Sequence, residues 1–257
     1  MRLIKHLTFH KNEDQNNFPY NLGFFNHTID LSEVTIVVGD NGSGKSTLLE
    51  LLSHELELYQ IGNPLVLPNP VKISLKYHLT KPLGFYFSAE DFTSYIHHLQ
   101  HEKSTSIQAL KQIDIDYKHK SLFAKNQARS AHAKTLFEIN KLYDKDLLTS
   151  SHGESYLSFF KSRIKPNQLF ILDEPETPLS FDNQLALIYM IHEGIKEGAQ
   201  FIIATHSPIL CAYPDAKIYE LSTNDIQETT YDQIDSIKLL KQFIDDPSHF
   251  YKHLFKS

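Results

Sequence analysis

The residues Gly39, Asp40, Asn41, Gly42, Ser43, Gly44, Lys45, Ser46 and Thr47 carry the sharpest chemical signal in this chain. Gly39 to Ser46 fits G-x-x-x-x-G-K-[ST], with an apolar run before it and a helical pattern after it. Glycines let the backbone turn tightly, so its N–H groups converge on phosphate oxygens. A helix opening near Lys45 adds the positive end of its dipole. In such a loop Lys45 reaches the β- and γ-phosphates and the Ser46 hydroxyl ligates Mg2+. The expectation is a site for ATP with Mg2+, and hydrolysis of that ATP.

Two further groups fit the same chemistry. Asp173 and Glu174 follow the apolar run Leu169–Leu172, which places two carboxylates at the end of a buried strand. Ligands in parallel sheets bind at the carboxyl ends of strands, where the phosphate loop also lies. Asp173 would hold Mg2+, directly or through water, and Glu174 would act as general base on the attacking water. The plainer reading is an acidic cap on the helix after Pro175. His206 follows a second apolar run, Phe201–Ala204. The stretch between Asp173 and His206 is long enough for one helix and a return to the adjacent parallel strand. His206 would then hydrogen-bond the γ-phosphate or the water.

The elements that must position these groups are legible as alternating short strands and helices. Residues 2–8 predict an opening strand, followed by a polar loop from Lys11 to Asn17. Val34–Val38 predicts a buried strand, and Ser46–His54 an amphipathic helix with Leu48, Leu49, Leu51 and Leu52 on one side. Residues 63–88 predict strands broken by Pro64, Pro68, Pro70 and Pro82. From Asp91 to Lys165 the pattern turns helical and polar. Gln184–Glu197 predicts a helix, Lys217–Leu221 with Ile226–Thr230 a strand pair, and Asp235–Asp245 and His249–Phe255 closing helices. The implied fold is α/β: a single domain over 1–257, with a mostly parallel sheet covered on both faces and a helical lobe inserted at 93–165.

With these motifs in this order, the chain resembles the ABC-type P-loop ATPases. The resemblance implies their P-loop NTPase fold and dimeric site. Ser151-His152-Gly153-Glu154 stands where the superfamily has its signature motif, with Ser151 and Gly153 matching and His152 and Glu154 departing from Gly and Gln. In the family, that serine and glycine contact the γ-phosphate held by the opposite subunit. Ser151 and Glu154 also satisfy a capping box, and a capped helix N-terminus is itself an anion site. The family likeness implies an ATP-dependent, head-to-tail homodimer, with Thr177–Ser180 crossing its interface. A Mg2+-contacting glutamine is usual between sheet and lobe; none stands here, and Glu90 is the candidate substitute. Tyr20 offers a flat face for adenine, or belongs to a surface turn.

The likeness is closest to small stand-alone bacterial predicted ATPases of the ABC/AAA type, with SMC and RecF-like relatives. The motifs at 39–47, 151–155, 173–176 and 204–208 carry it. The gap between Ser46 and Asp173 leaves no room for the long heptad arms of the SMC type. Three functions follow as alternatives. One is a stand-alone ATPase acting through dimerisation, in DNA repair or phage defence. Another is a poorly hydrolysing sensor for a protein effector. The third is a transporter ATPase subunit.

Composition bounds these readings. The net charge of −6 over 257 residues argues against bulk coating of nucleic acid. A local run, Lys118, Lys120, Lys125, Arg129 and Lys134, would touch a phosphate backbone or an acidic partner, or form a solvated helix face. His97 and His101 share a helix face at metal-ligand spacing without an evident third ligand. The single cysteine, Cys211, reads as a buried small residue and fits a reducing cytoplasm. No apolar run approaches a bilayer span, and Met1–His6 lacks the apolar stretch of a signal peptide.

Overall fold

The computed structural model describes residues 2–11, 17–61, 71–142 and 152–255. The three apolar runs Val34–Val38 (β3), Leu169–Asp173 (β7) and Gln200–Ala204 (β8) are buried along their whole length. Strands covered on both faces need apolar side chains in both directions, so they read as continuous runs rather than alternations. They form the centre of a seven-stranded sheet of order β10-β9-β3-β8-β7-β6-β4. Gly84–Ser88 (β6) and Tyr59–Gln60 (β4) extend it in parallel on one side. On the other side Lys217–Leu221 (β9) runs parallel to β3 and Ile226–Thr229 (β10) pairs antiparallel with β9.

A smaller antiparallel sheet joins Ile4–His10 (β1), Thr28–Asp30 (β2) and Lys72–Tyr77 (β5) in the order β2-β1-β5. Gln200 ties the two sheets together from a fully buried position. Its Oε1 accepts the N–H groups of Leu3 and Ile4, and its Nε2 donates to the carbonyls of Ile4 and Ser32. That satisfies a buried amide completely, which is the condition for keeping one in a core.

Lys45–Glu55 (α1) lies in the core shared by the two sheets. Its leucines Leu48, Leu49, Leu51 and Leu52 lie on one side, as the sequence predicts, and all are buried, while Ser46, His54 and Glu55 are exposed. The other face of the large sheet is covered by Ala89–Asp116 (α2), His152–Arg163 (α4) and Phe181–Lys196 (α5). An aromatic cluster seals it, with Phe87 within 4.7 Å of Phe160 and 5.0 Å of Tyr156 between ring centres.

Leu122–Leu142 (α3) packs back along α2 after a turn at 117–121. Pro208–Cys211 (α6), a 3-10 turn at Tyr231–Gln233, Asp235–Asp245 (α7) and Pro247–Leu254 (α8) complete the chain. Side-chain caps move several helix starts ahead of the sequence expectation. Ser88 accepts the Asp91 N–H, Ser180 the Asn183 N–H and Asp246 the His249 N–H. The strand expectation over 63–88 holds for β5 and β6; β5 pairs with β1 in the small sheet, and 62–70 lie outside the described residues. No described helix is long and apolar enough to cross a membrane.

Candidate functional site

Strand register brings the predicted groups to one edge. Val37 pairs with Ala204, Ala204 with Asp173, and Asp173 with Ser88. The chain continues from these strand ends as the loop 39–44, as His206, as Glu174 and as α2. Residues far apart in sequence therefore meet at the carboxyl edge of the large sheet.

The phosphate loop turns as its glycines require. Gly44 caps α1 in the left-handed region (φ 101°), and a Cβ there would stand 3.0 Å from Leu22. At Gly39 (φ 149°) a Cβ would lie 2.1 Å from the Leu221 carbonyl, so β9 closes the space behind the loop. Asn41 and Gly42 are exposed at the tip, Ser43 is buried, and Ser46 and Thr47 open α1. The Lys45 ammonium is buried and donates to the carbonyls of Gly39 (2.8 Å) and Asp40 (3.1 Å). Burial pulls its pKa below the usual lysine value, opposed by the charges of Glu174, Asp173, Asp40 and Glu176.

The carboxylates facing it are crowded. Burial raises Asp173 to about 6; the Ser46 hydroxyl bond works the other way, and Glu174 adds to the rise. Asp173 Oδ1 is buried with no hydrogen-bond partner. Glu174 sits in the left-handed region at φ 47°, where a non-glycine residue is strained, and its N–H is held by the Ala204 carbonyl at 2.9 Å. His206 Nε2 stands 3.6 Å from Glu174 Oε1.

The structure places further polar groups around these residues that the sequence did not single out. Glu50 is raised to about 7 by burial and then by the charges of Asp173, Asp91 and Glu90. Its signal was present, since it stands one helical turn after Ser46. Glu176, inside the Asp-Glu-Pro-Glu run, accepts the His206 N–H at 2.7 Å. Tyr86 of β6 buries an unpartnered hydroxyl near Asp173 and Glu50, and the charges of both act on it.

Other expected residues fare differently. Glu90 is exposed in the first turn of α2, beside Asp91 and within electrostatic reach of Glu50. Ser88 is the residue in register with Asp173. Tyr20 is corrected: it is 8% exposed and packs on Phe25, so its ring is spent in the core, and the exposed ring of that turn is Phe18. Ser151 lies outside the described residues, while Gly153 and Glu154 fall in the first turn of α4. Within the basic run, Lys125 and Arg129 pair with Asp114 and Lys134 approaches Glu138, which leaves Lys118 and Lys120 at the hairpin turn. Burial pushes the Cys211 thiol to about 12.

A glycine-lined phosphate cradle, a buried lysine and an unsatisfied carboxylate oxygen beside a serine hydroxyl suit a nucleoside triphosphate carrying a divalent cation. The class so defined is a P-loop ATPase. The family model for "ABC transporter" matches residues 22–177, and the chain belongs to that family. It is an ATP-binding, ATP-hydrolysing protein of the ABC type that uses Mg2+.

Among its relatives, a lipoprotein-releasing system ATP-binding protein LolD from Ehrlichia ruminantium is 28% identical over 80% of this chain and 88% of its own length. A putative ABC transporter ATP-binding protein from Methanosarcina acetivorans is 29% identical over 69% of this chain and 64% of its own. A solved nucleotide-free ATP-binding cassette from an ABC transporter superposes with a TM-score of 0.49 at 16% identity, over 96% of each chain.

Proposed function

We propose that two copies of this chain close head-to-tail around ATP, and that hydrolysis proceeds by in-line attack of water on the γ-phosphate. The observation that carries this reading is the convergence of Lys45, Asp173, Glu174 and His206 on one sheet edge, with His206 Nε2 3.6 Å from Glu174 Oε1. Lys45 and the backbone of Gly39 to Thr47 hold the phosphates. Ser46 and Asp173 would hold Mg2+, with Glu90 of α2 as a further ligand. Held there, the ion would supply charge neutralisation for the phosphates. Glu174 takes the proton of the attacking water while the bond from the γ-phosphorus to the bridging oxygen breaks and ADP leaves. His206 donates to the γ-phosphate. Ser151, Gly153 and Glu154 of one subunit complete the site of the other.

Glu174→Gln tests the reading. It removes the base and keeps the phosphate contacts, so ATP should still bind and a dimer should accumulate on a sizing column. Turnover should fall by about a thousandfold, within the range for loss of a general base. A monomeric profile with saturating ATP would sink the head-to-tail model.

The names of the relatives favour one second reading, an ATPase subunit that drives a membrane-spanning partner. Recovery of the trapped Glu174→Gln dimer with an integral membrane protein supports it. Recovery with a soluble effector or nucleic acid instead supports the stand-alone reading in repair or defence.

A further inference from the structure

We propose that Glu176 is a positioning residue that couples α4 to His206. One carboxylate oxygen holds the main chain of the histidine, and the other takes the hydroxyl of Tyr156 when the site closes. This rests on His206 serving the γ-phosphate, as proposed above.

The His206 ring is poorly anchored by itself. It is 41% exposed, and Glu174, at 3.6 Å, is beyond normal hydrogen-bond reach. Its aim is therefore set by the backbone on which it stands, and that backbone is pinned residue by residue. The Thr205 N–H donates to the Val37 carbonyl of the phosphate-loop strand at 3.2 Å. The Ser207 hydroxyl donates to Gln184 Oε1 at 2.6 Å, and Gln184 Nε2 donates to the Leu179 carbonyl at 3.2 Å. At His206 itself the holding group is Glu176, whose Oε1 accepts the amide N–H at 2.7 Å. A carboxylate acceptor makes this a charge-assisted bond, stronger than a neutral one.

The second oxygen supplies the coupling. Glu176 Oε2 is buried without a partner, and so is the hydroxyl of Tyr156, which is 1% exposed on α4. Of the charges that act on the Tyr156 hydroxyl, that of Glu176 acts most strongly, ahead of Asp173. A buried acceptor and a buried donor, both unsatisfied, are costly apart and complementary together. Closure of α4 on the 173–176 segment would join them. Because Gly153 and Glu154 lie in the first turn of α4, settling of a second subunit on this helix start would reach His206 through one carboxylate.

Steady-state ATP hydrolysis by the full chain tests the coupling, with kcat and KM measured for wild type, Glu176→Gln, Glu176→Ala, Tyr156→Phe and the Ala/Phe double variant. Thermal melts check that each is folded. Glu176→Gln keeps an acceptor for the His206 N–H but offers an amide NH2 in place of the second oxygen, so it should lower kcat no more than Tyr156→Phe does. Glu176→Ala should lower kcat by about tenfold or more with KM little changed. Tyr156→Phe should lower kcat by several-fold alone and add nothing to Glu176→Ala.

Unchanged kcat in Glu176→Ala overturns the proposal, as does a Gln variant as impaired as the Ala variant. Additive losses in the double variant overturn the link to Tyr156. If Glu176→Ala does not fold, the Gln and Phe variants still decide. Wild type without turnover would instead refute hydrolysis itself, a distinct result.

Discussion

Charge is handled in opposite ways at the sheet edge and on the α2–α3 hairpin. At the edge, Asp173 is buried, keeps one oxygen unpaired and is pushed up to about 6. On the hairpin, Asp114 is exposed, is bonded by Arg129 and Lys125, and is held below the usual carboxylate range. The hairpin also leaves Leu122 and Phe123 largely bare, whereas the edge is backed by a sealed aromatic core. Exposed, compensated charge solvates a helix and changes little when removed. Buried, uncompensated charge raises the energy of the empty site, and a cation with a polyphosphate relieves it. The region that is electrostatically worst satisfied is the one built for a ligand.

The sharpest way to break this contrast is at Lys45. Lys45→Ala removes the buried cation facing the crowded carboxylates and should weaken ATP binding by about a hundredfold, a charge-assisted contact's worth. Titration with a fluorescent ATP analogue measures it, and unchanged affinity would remove the phosphate loop from the site.

Asp173 gives the next largest effect, with a definite sign. Its folded pKa, about 6, lies above the ordinary carboxylate value, so the folded state binds more protons than the unfolded one. The ligand-free protein should therefore lose stability as pH rises from about 4 to about 7. Asp173→Asn should be more stable than wild type at pH 8 by about 1–3 kcal/mol, several degrees in Tm, while Mg2+-dependent turnover is lost. A variant melting below wild type at pH 8 would contradict the sign.

Glu50→Gln should act in the same direction but more weakly, because the side chain is only partly buried. Its stabilisation should fade as pH falls below about 7, and melting curves at pH 5 and pH 8 read this directly. The smallest effect belongs to the hairpin. Asp114→Ala should leave Tm and ATP turnover within measurement error at moderate salt, because the pair it breaks is exposed. A clear drop in turnover there would erase the distinction between the two regions.

The central part of the fold was legible because its strands are unambiguous. Val34–Val38, Leu169–Leu172 and Phe201–Ala204 are continuous apolar runs ending in polar groups, and only a doubly covered strand needs such a pattern. The loop at Gly39–Ser46 was legible because phosphate chemistry demands glycines, lysine and serine at set spacing. The placement of β5 was not, since an alternating strand pairs equally well with either sheet until β1 is in place. Tyr20 misled for a related reason: an aromatic in a turn looks the same in sequence whether it faces solvent or Phe25.

What sequence alone determined is the set of candidate site groups, Lys45, Ser46, Asp173, Glu174 and His206, and the strands that carry them. Their types and local spacing are dictated by the chemistry of phosphate, metal and water. Tertiary structure alone decided which other residues reach them. Glu50, Tyr86, Tyr156 and the second oxygen of Glu176 acquire their meaning from burial and from parallel register. Those properties depend on neighbours that lie dozens of residues away, and no local pattern records them.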